Sequence, residues 1–184
     1  MACDISKGRA INCKDQIGGL KKAWLVDFND LGTVTLGSND EATDASGTGT
    51  LFQYDLKGSA NTMETTANVS RDNGTAFFST VLSLSLPKLT KEDQKELKLL
   101  SYQRVAIIIE DRNSNFFLIG KDNGCELSSA SMQTGGAFGD ASQYVLEFTD
   151  ESALPPNFVE GATTANPTAG WSTYSETITV GTNS

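Results

Sequence analysis

The stretch TAFFSTVLSLSLP, residues 75–87, decides the fold, because its side chains change character at every second position. One set of alternate residues is largely apolar, and the other is mainly serine after an apolar start: Phe78, Thr80, Leu82, Leu84 and Leu86 against Phe77, Ser79, Val81, Ser83 and Ser85. A period of two places successive side chains on opposite faces of a strand. The stretch therefore predicts a long antiparallel strand with one face in a core.

The residues before this strand predict its partner. Asn73-Gly74 is a strong hairpin-turn signal, and the Thr-rich segment NTMETTANVSR at 61–71 can pair back along the strand. Residues 62–86 therefore predict a long hairpin.

The same pattern recurs along the chain. Further strands are predicted in AWLVDF (23–28), TVTL (33–36), LFQYDL (51–56), Val105–Glu110, Asn115–Gly120, Glu126–Met132, around Tyr144–Phe148, and Thr177–Val180. The predicted fold is mainly β: an antiparallel β-sandwich or barrel with long hairpins.

One segment predicts a helix that flanks this sheet structure. In LPKLTKEDQKELKLLS, Pro87 ends the preceding strand and Thr90 can cap a helix over about residues 91–100. Leu97 and Leu100 share a face at helical spacing, so the helix is expected to pack on the sheet.

The ends of the chain differ from its middle. We predict an N-terminal arm at 1–22, a sandwich domain at 23–159 and a C-terminal extension at 160–184, whose terminal strand adds to an edge of this chain or of a neighbour. The acidic segment GSNDEATDASGTGT at 37–50 predicts a long flexible loop.

Composition restricts the possible functions. The 184 residues contain no histidine, which removes the Ser-His and Cys-His nucleophile pairs and the commonest metal ligand. The three cysteines are scattered and predict free thiols, and neither a membrane span nor a secretory signal is expected, so the protein should be soluble and made in the cytoplasm. We expect no enzyme activity, no catalytic, cofactor-binding or metal site, and no cofactor.

Charge is distributed unevenly. The net charge is -9; the first 22 residues are rich in Lys and Arg, whereas no Lys or Arg follows Lys121. This uneven distribution of charge fits either ordinary solubility or docking of a basic arm on an acidic face of another copy. The negative net charge disfavours direct DNA binding.

Two motifs suggest chemistry but fit poorly. The glycines of TGGAFGDASQYVLEFTD, residues 134–150, lack the lysine and the following helix that a phosphate site requires, so they predict a mobile turn before a buried strand. The acidic clusters DFND (27–30) and NDEATD (39–44) lack the register of a calcium loop.

In the order of its elements and the residue pattern within them, the chain resembles bacteriophage tail tube proteins and related virion ring proteins. The stretches that carry the likeness are ISKGRAINCKDQIGGLKKAWLVDF (5–28), RVAIIIEDRNSNFFLIGKDNG (104–124) and TGGAFGDASQYVLEFTDESALPPNFV (134–159), and the likeness covers roughly residues 5–159.

The resemblance implies a virion structural protein that is assembled in the host cytoplasm. Such proteins form hexameric rings whose inner sheets join into one barrel, and the rings stack into a tube that conducts DNA without binding it specifically. Partners would be further copies of this chain and other tail or capsid proteins, with no membrane.

Two other classes stay open. A capsid decoration or head-completion protein would have the same composition but would bind a capsid lattice. A carbohydrate-binding module or carboxylate-dependent glycosidase would depend on a pair of acids that the sequence does not single out.

Overall fold

A computed structural model describes residues 7–9, 16–58 and 60–181 and confirms a mainly β fold. Its elements are β1 (Leu20–Asp27), α1 (Phe28–Leu31), β2 (Val34–Leu36), β3 (Ala42–Ala45), β4 (Thr48–Asp55), β5 (Thr62–Ser70), β6 (Thr75–Pro87), α2 (Lys91–Leu100), β7 (Val105–Asp111), β8 (Phe116–Ile119), β9 (Glu126–Gln133), β10 (Gln143–Ser152), β11 (Asn157–Phe158) and β12 (Ser175–Val180).

The strands form two large sheets and a two-stranded one. The front sheet has the order β5-β6-β10-β9, and the back sheet has the order β11-β8-β7-β1-β4-β12. Every pairing is antiparallel except that of β12 with β4. β5 and β6 are the predicted long hairpin, and among the described strands neither large sheet closes into a barrel.

The main core lies between the two large sheets. Leu82 and Leu84 of β6 and Phe148 of β10 pack there with Ile107 and Ile109 of the back sheet. The alternation in residues 75–87 therefore predicts correctly that Thr80, Leu82 and Leu84 are buried, although Ser85 of the serine-rich set is buried as well. In β10, Tyr144, Leu146 and Phe148 are buried, and the residues between them are half-exposed.

A second core lies on the opposite face of the back sheet, where Trp24, Leu51 and Ile108 are completely buried. It is closed by a cover layer, which we define as residues 28–47 and 159–174. The cover layer contributes its own buried side chains: Leu31, Ala42, Ala45, Val159, Trp171 and Tyr174. Because both faces of the back sheet are covered, β7 is an almost continuous apolar run.

The cover layer corrects the prediction of a long loop at 37–50. That segment contains β3 and the start of β4, and Ala42 and Ala45 are buried in the second core. Two small apolar residues separated by polar ones gave too weak a pattern to predict a strand.

Helix α2 occupies the predicted residues. Thr90 is its N-cap, and its Oγ1 accepts a 3.1 Å hydrogen bond from the backbone N–H of Asp93. Leu89, Leu97 and Leu100 pack against the main core. The four-residue helix α1, whose N-cap is Asp27, was not predicted.

Both ends of the predicted central domain continue into neighbouring structure. Residues 1–6 and 10–15 of the predicted arm lie outside the described residues, but β1 begins at Leu20, within that arm. The described part of 160–184 supplies β12 and half of the cover layer, so the terminal strand adds to an edge of its own chain. No helix in the described part of the chain is long and apolar enough to span a membrane.

Candidate assembly surface

The outward face of the front sheet is polar and acidic. The pairing of the strands places these residues on it: Thr62, Glu64, Thr66 and Asn68; Phe77, Ser79, Val81, Ser83 and Ser85; Gln143, Val145, Glu147, Thr149 and Glu151; and Glu126, Ser129, Ser131 and Gln133. The four strands contain no Lys or Arg. Four glutamates without a cation on the same strands give this face a negative potential.

The register spreads these carboxylates across the sheet. Glu64 pairs with Val81, Val81 with Thr149, and Thr149 with Glu126, so one row of the sheet has a glutamate at each edge. Glu147 lies near the middle, where Ser128 donates a 3.0 Å hydrogen bond to its carbonyl oxygen. The face is therefore acidic over its whole width.

The two edges of the front sheet, β5 and β9, have no further strand partner among the described residues. On the inner side of these edges, Ala67 and Val69 of β5 and Ala130 and Met132 of β9 are exposed. Val69 is 76% exposed and Met132 is 61% exposed. Free edges with uncovered apolar side chains are typical of strands that pair with another chain.

The turn at 134–142 joins β9 to β10 and is held by Asp140. Its carboxylate accepts hydrogen bonds from the backbone N–H groups of Gly136 (2.8 Å) and Ala137 (2.7 Å), which lower the pKa of Asp140. Gly135 has a φ of 70°, and a Cβ there would lie 2.6 Å from Asp140 Cβ. Phe138 stands fully exposed at the apex of this turn.

A groove of about 290 Å³ lies at the opposite end of the front sheet. Its lining combines apolar and polar side chains: Ala76, Phe77, Asn123, Glu151, Ser152 and Ala153. The amide of Asn123 donates a 3.1 Å hydrogen bond to the carbonyl oxygen of Glu151, which fixes one wall. Phe77, 39% exposed, supplies the aromatic surface.

The acidic segment 39–44 binds the C-terminal part of the chain. Asp44 accepts hydrogen bonds from the Ser172 hydroxyl (2.8 Å) and the Thr173 backbone N–H (3.0 Å). Desolvation acts to raise the pKa of Asp44, but these hydrogen bonds and one from the Ala45 N–H hold it well below its usual range. Asp44 therefore fastens the chain just before β12.

The described residues also include one cysteine, Cys125, and the two acidic clusters of the sequence. Burial, and then the nearby Asp150, raise the pKa of the Cys125 thiol, which disfavours the nucleophilic thiolate. Asp27 and Asp44, from the two acidic clusters, cap α1 and bind residues 172–173. Within the described ranges no three His, Cys, Asp or Glu residues form a group that could hold a metal ion.

Comparison with known proteins gives little further information. No protein-family model matches the chain, and no curated protein matches it. Among solved structures, the chain is similar to a chain of the virion of a native gene transfer agent particle, with 13% identity and a TM-score of 0.35 over 81% of this chain and 98% of that one. At this level of similarity the function has to be inferred from the surface itself.

The sequence did not reveal the polar links between the ends of the chain and the sheets. Glu110, completely buried in β7, accepts hydrogen bonds from Lys21 Nζ (2.6 Å) and from Thr164 Oγ1 (2.7 Å). The aromatic residues Trp171 and Tyr174 were the available signal that the predicted extension packs on a core, since aromatic side chains bury large apolar areas.

Proposed function

We propose that this protein is a virion structural protein that assembles into rings, and that the rings stack into a tail tube that conducts DNA. The observation that carries the proposal is the front sheet: among the described residues both of its edges are free and have uncovered apolar side chains, and its acidic face has no Lys or Arg on its four strands. Other tail or capsid proteins would be its further partners, and the virion would be its location.

The number and direction of the strands suit a cyclic ring. The front sheet has four antiparallel strands, so β5 and β9 run in opposite directions. When copies related by rotation stand side by side, β5 of one copy meets β9 of the next in antiparallel orientation. Each added copy therefore extends one antiparallel sheet, and a closed ring leaves no free edge.

The stagger of the two edges matches the tilt of a barrel. The pairings with β10 measure this stagger. Thr66, in the middle of β5, pairs with Ser79, which pairs with Glu151 of β10. Ala130, near the middle of β9, pairs with Leu146 of β10. The middles of β5 and β9 are thus about five residues apart along the strand direction. When β5 of one copy pairs with β9 of the next, only an even offset of four or six residues keeps the polar side chains of both strands on the same face. At 3.3 Å per residue and about 4.8 Å between strands, this gives a tilt of about 35–45°, the usual range for barrels.

The resemblance to tail tube proteins implies six copies and hence twenty-four strands. With the same strand spacing and tilt, such a barrel is about 50 Å across at the backbone. This width accommodates a DNA duplex.

The charge of the face suits a passage for DNA. In the ring, the front sheet turns its polar face toward the central axis and its core face toward the back sheet. The lumen is then lined by Glu64, Glu126, Glu147 and Glu151. Carboxylates repel phosphates and release no counterions on contact, so DNA slides without being held.

Substitutions at the edges test the ring. Ala67 and Ala130 are exposed in the single chain, so Ala67→Asp and Ala130→Asp should leave the fold intact, but in the ring they bury a charge at the joint. Ser131→Asp, on the neighbouring outward position of β9, is the matched control because its side chain stays wet.

Sedimentation velocity and electron microscopy give the readout. We expect rings or longer polymers from the unmodified protein and from Ser131→Asp, and monomers from Ala67→Asp and Ala130→Asp. Rings from Ala67→Asp and Ala130→Asp would overturn the proposed joint. A particle that stays monomeric or trimeric until capsid is added would instead indicate a decoration protein.

A further inference from the structure

The turn at 134–142 carries an aromatic side chain that is not buried by any described part of the chain. Phe138 is fully exposed, while the turn beneath it is closed by the Asp140 carboxylate and by a 3.0 Å hydrogen bond from the Asp140 N–H to the Ala137 carbonyl oxygen. An exposed phenylalanine on a braced turn is a rigid anchor that loses little conformational entropy on binding.

The groove at the other end of the front sheet is complementary to such an anchor. Phe77, Ala76 and Ala153 provide apolar contact, and Asn123 and Ser152 provide a polar rim. The groove is open to solvent because the β5–β6 hairpin extends beyond the last residue of β10, Ser152, which pairs with Phe78.

Phe138 cannot fill the groove of its own chain. The turn precedes Gln143 and the groove surrounds Glu151–Ala153, so the ten residues of β10 separate them by about 30 Å. A second copy placed end to end along the strand direction brings the two together.

Charge at the two ends is also complementary. Lys88 borders the turn, since its backbone N–H donates a 2.9 Å hydrogen bond to the carbonyl oxygen of Ser142, and its side chain is exposed. Glu151 lines the groove and is exposed. An end-to-end arrangement places opposite charges beside the aromatic contact.

We propose that Phe138 of one copy inserts into the Ala76–Phe77–Ala153 groove of a second copy, in a head-to-tail contact that repeats along the strand direction. A head-to-tail contact in which successive copies do not return to the first one generates an open filament instead of a closed ring. The identification of this filament with a stack of rings rests on the proposed function.

Photo-crosslinking tests the contact directly. Phe138 is replaced by the photoreactive benzoylphenylalanine, and this protein is mixed with unsubstituted copies labelled with heavy isotopes. Mass spectrometry of the irradiated polymer should find cross-links to Ala76, Phe77 or Glu151–Ala153 of heavy copies. The same substitution at Tyr102, which is 80% exposed after α2, is the control and should not label the groove.

Variants give the size of the effect. Phe138→Ala should weaken end-to-end association by about 30-fold or more while single rings still form. Lys88→Glu or Glu151→Lys alone should weaken it by about two- to fivefold, and the double exchange should restore it.

The outcomes separate this inference from the proposed function. Rings that stack normally with Phe138→Ala, or cross-links that miss the groove, overturn the head-to-tail contact and leave the ring in place. Monomers of the unmodified protein at every concentration overturn both.

Discussion

Lys21 and Glu110 form an ion pair, 2.6 Å between Nζ and Oε1, in which the carboxylate is completely buried and the lysine side chain is 45% exposed. Thr164 of the cover layer donates to the same oxygen. One carboxylate thus joins the first strand, the centre of the back sheet and the C-terminal segment. In the described part of the chain the other oxygen, Oε2, has no hydrogen-bond partner, and Lys21 is the only cation that forms an ion pair with Glu110.

Removing this lysine should destabilise the protein. Lys21→Met leaves the buried carboxylate uncompensated, and we expect the free energy of unfolding to fall by about 1–3 kcal/mol, less than for a fully buried pair because Lys21 is half exposed. Urea unfolding followed by tryptophan fluorescence measures it. The exposed Lys57→Met serves as control and should change stability by less than about 0.5 kcal/mol; equal effects of the two variants would contradict a role for the pair.

Adjacent residues of β10 should respond very differently to truncation. Leu146 is 2% exposed in the main core, whereas Val145 lies on the polar face. Leu146→Ala should lower the free energy of unfolding by about 2–5 kcal/mol, and Val145→Ala by less than about 1 kcal/mol. A larger loss for Val145→Ala would mean that the faces of the front sheet are reversed.

Stability should depend on pH through Asp150. Burial raises the pKa of this carboxyl above its ordinary 3.8, in spite of hydrogen bonds from Ser152 and from the Gly120 backbone. The folded state therefore holds the proton more tightly, and this contribution to stability is present below pH 3.8 and is lost as pH rises through the folded pKa.

Urea unfolding at pH 4 and pH 7 tests this sign. Asp150→Asn should show a smaller loss of stability between the two values than the unmodified protein. Asp72→Asn, at the exposed tip of the β5–β6 hairpin, should retain the full loss. Identical pH profiles for all three proteins would show that Asp150 ionises freely.

The acidic face should determine the response to DNA. Assembled unmodified protein should not retain duplex DNA in a co-sedimentation assay at low salt, whereas Glu64→Lys combined with Glu147→Lys should retain it, with an affinity that falls as salt rises. The control is Glu64→Gln combined with Glu147→Gln, which removes both negative charges without adding positive ones. Retention of DNA by the unmodified polymer would argue against a lumen lined by this face.

Strong local patterns predicted much of the fold. The alternation in 75–87, the Asn73-Gly74 turn and the Thr90 cap each correspond to an observed element, because each depends on residues close in sequence. The cover layer was missed, since Ala42, Ala45 and Trp171 acquire their partners only when distant segments meet on the back sheet.

The candidate surface was predictable only in part. The serine-rich face of β6 was visible in the sequence, and the glycines of residues 134–150 predicted a turn before a buried strand. The acidic rows and the free apolar positions depend on strand order, which places β9 and β5 at opposite edges. Single-strand patterns do not contain that order.

In the proposed ring, β5 of one copy joins β9 of the next. Electron cryomicroscopy of the polymer formed by the purified protein, at a resolution that separates strands, tests it most directly. We expect one continuous antiparallel barrel whose strands are tilted by about 35–45°, with Ala67 and Ala130 at each joint and Glu147 toward the lumen. Isolated monomers at every concentration, or rings in which both edge strands face solvent, would contradict it.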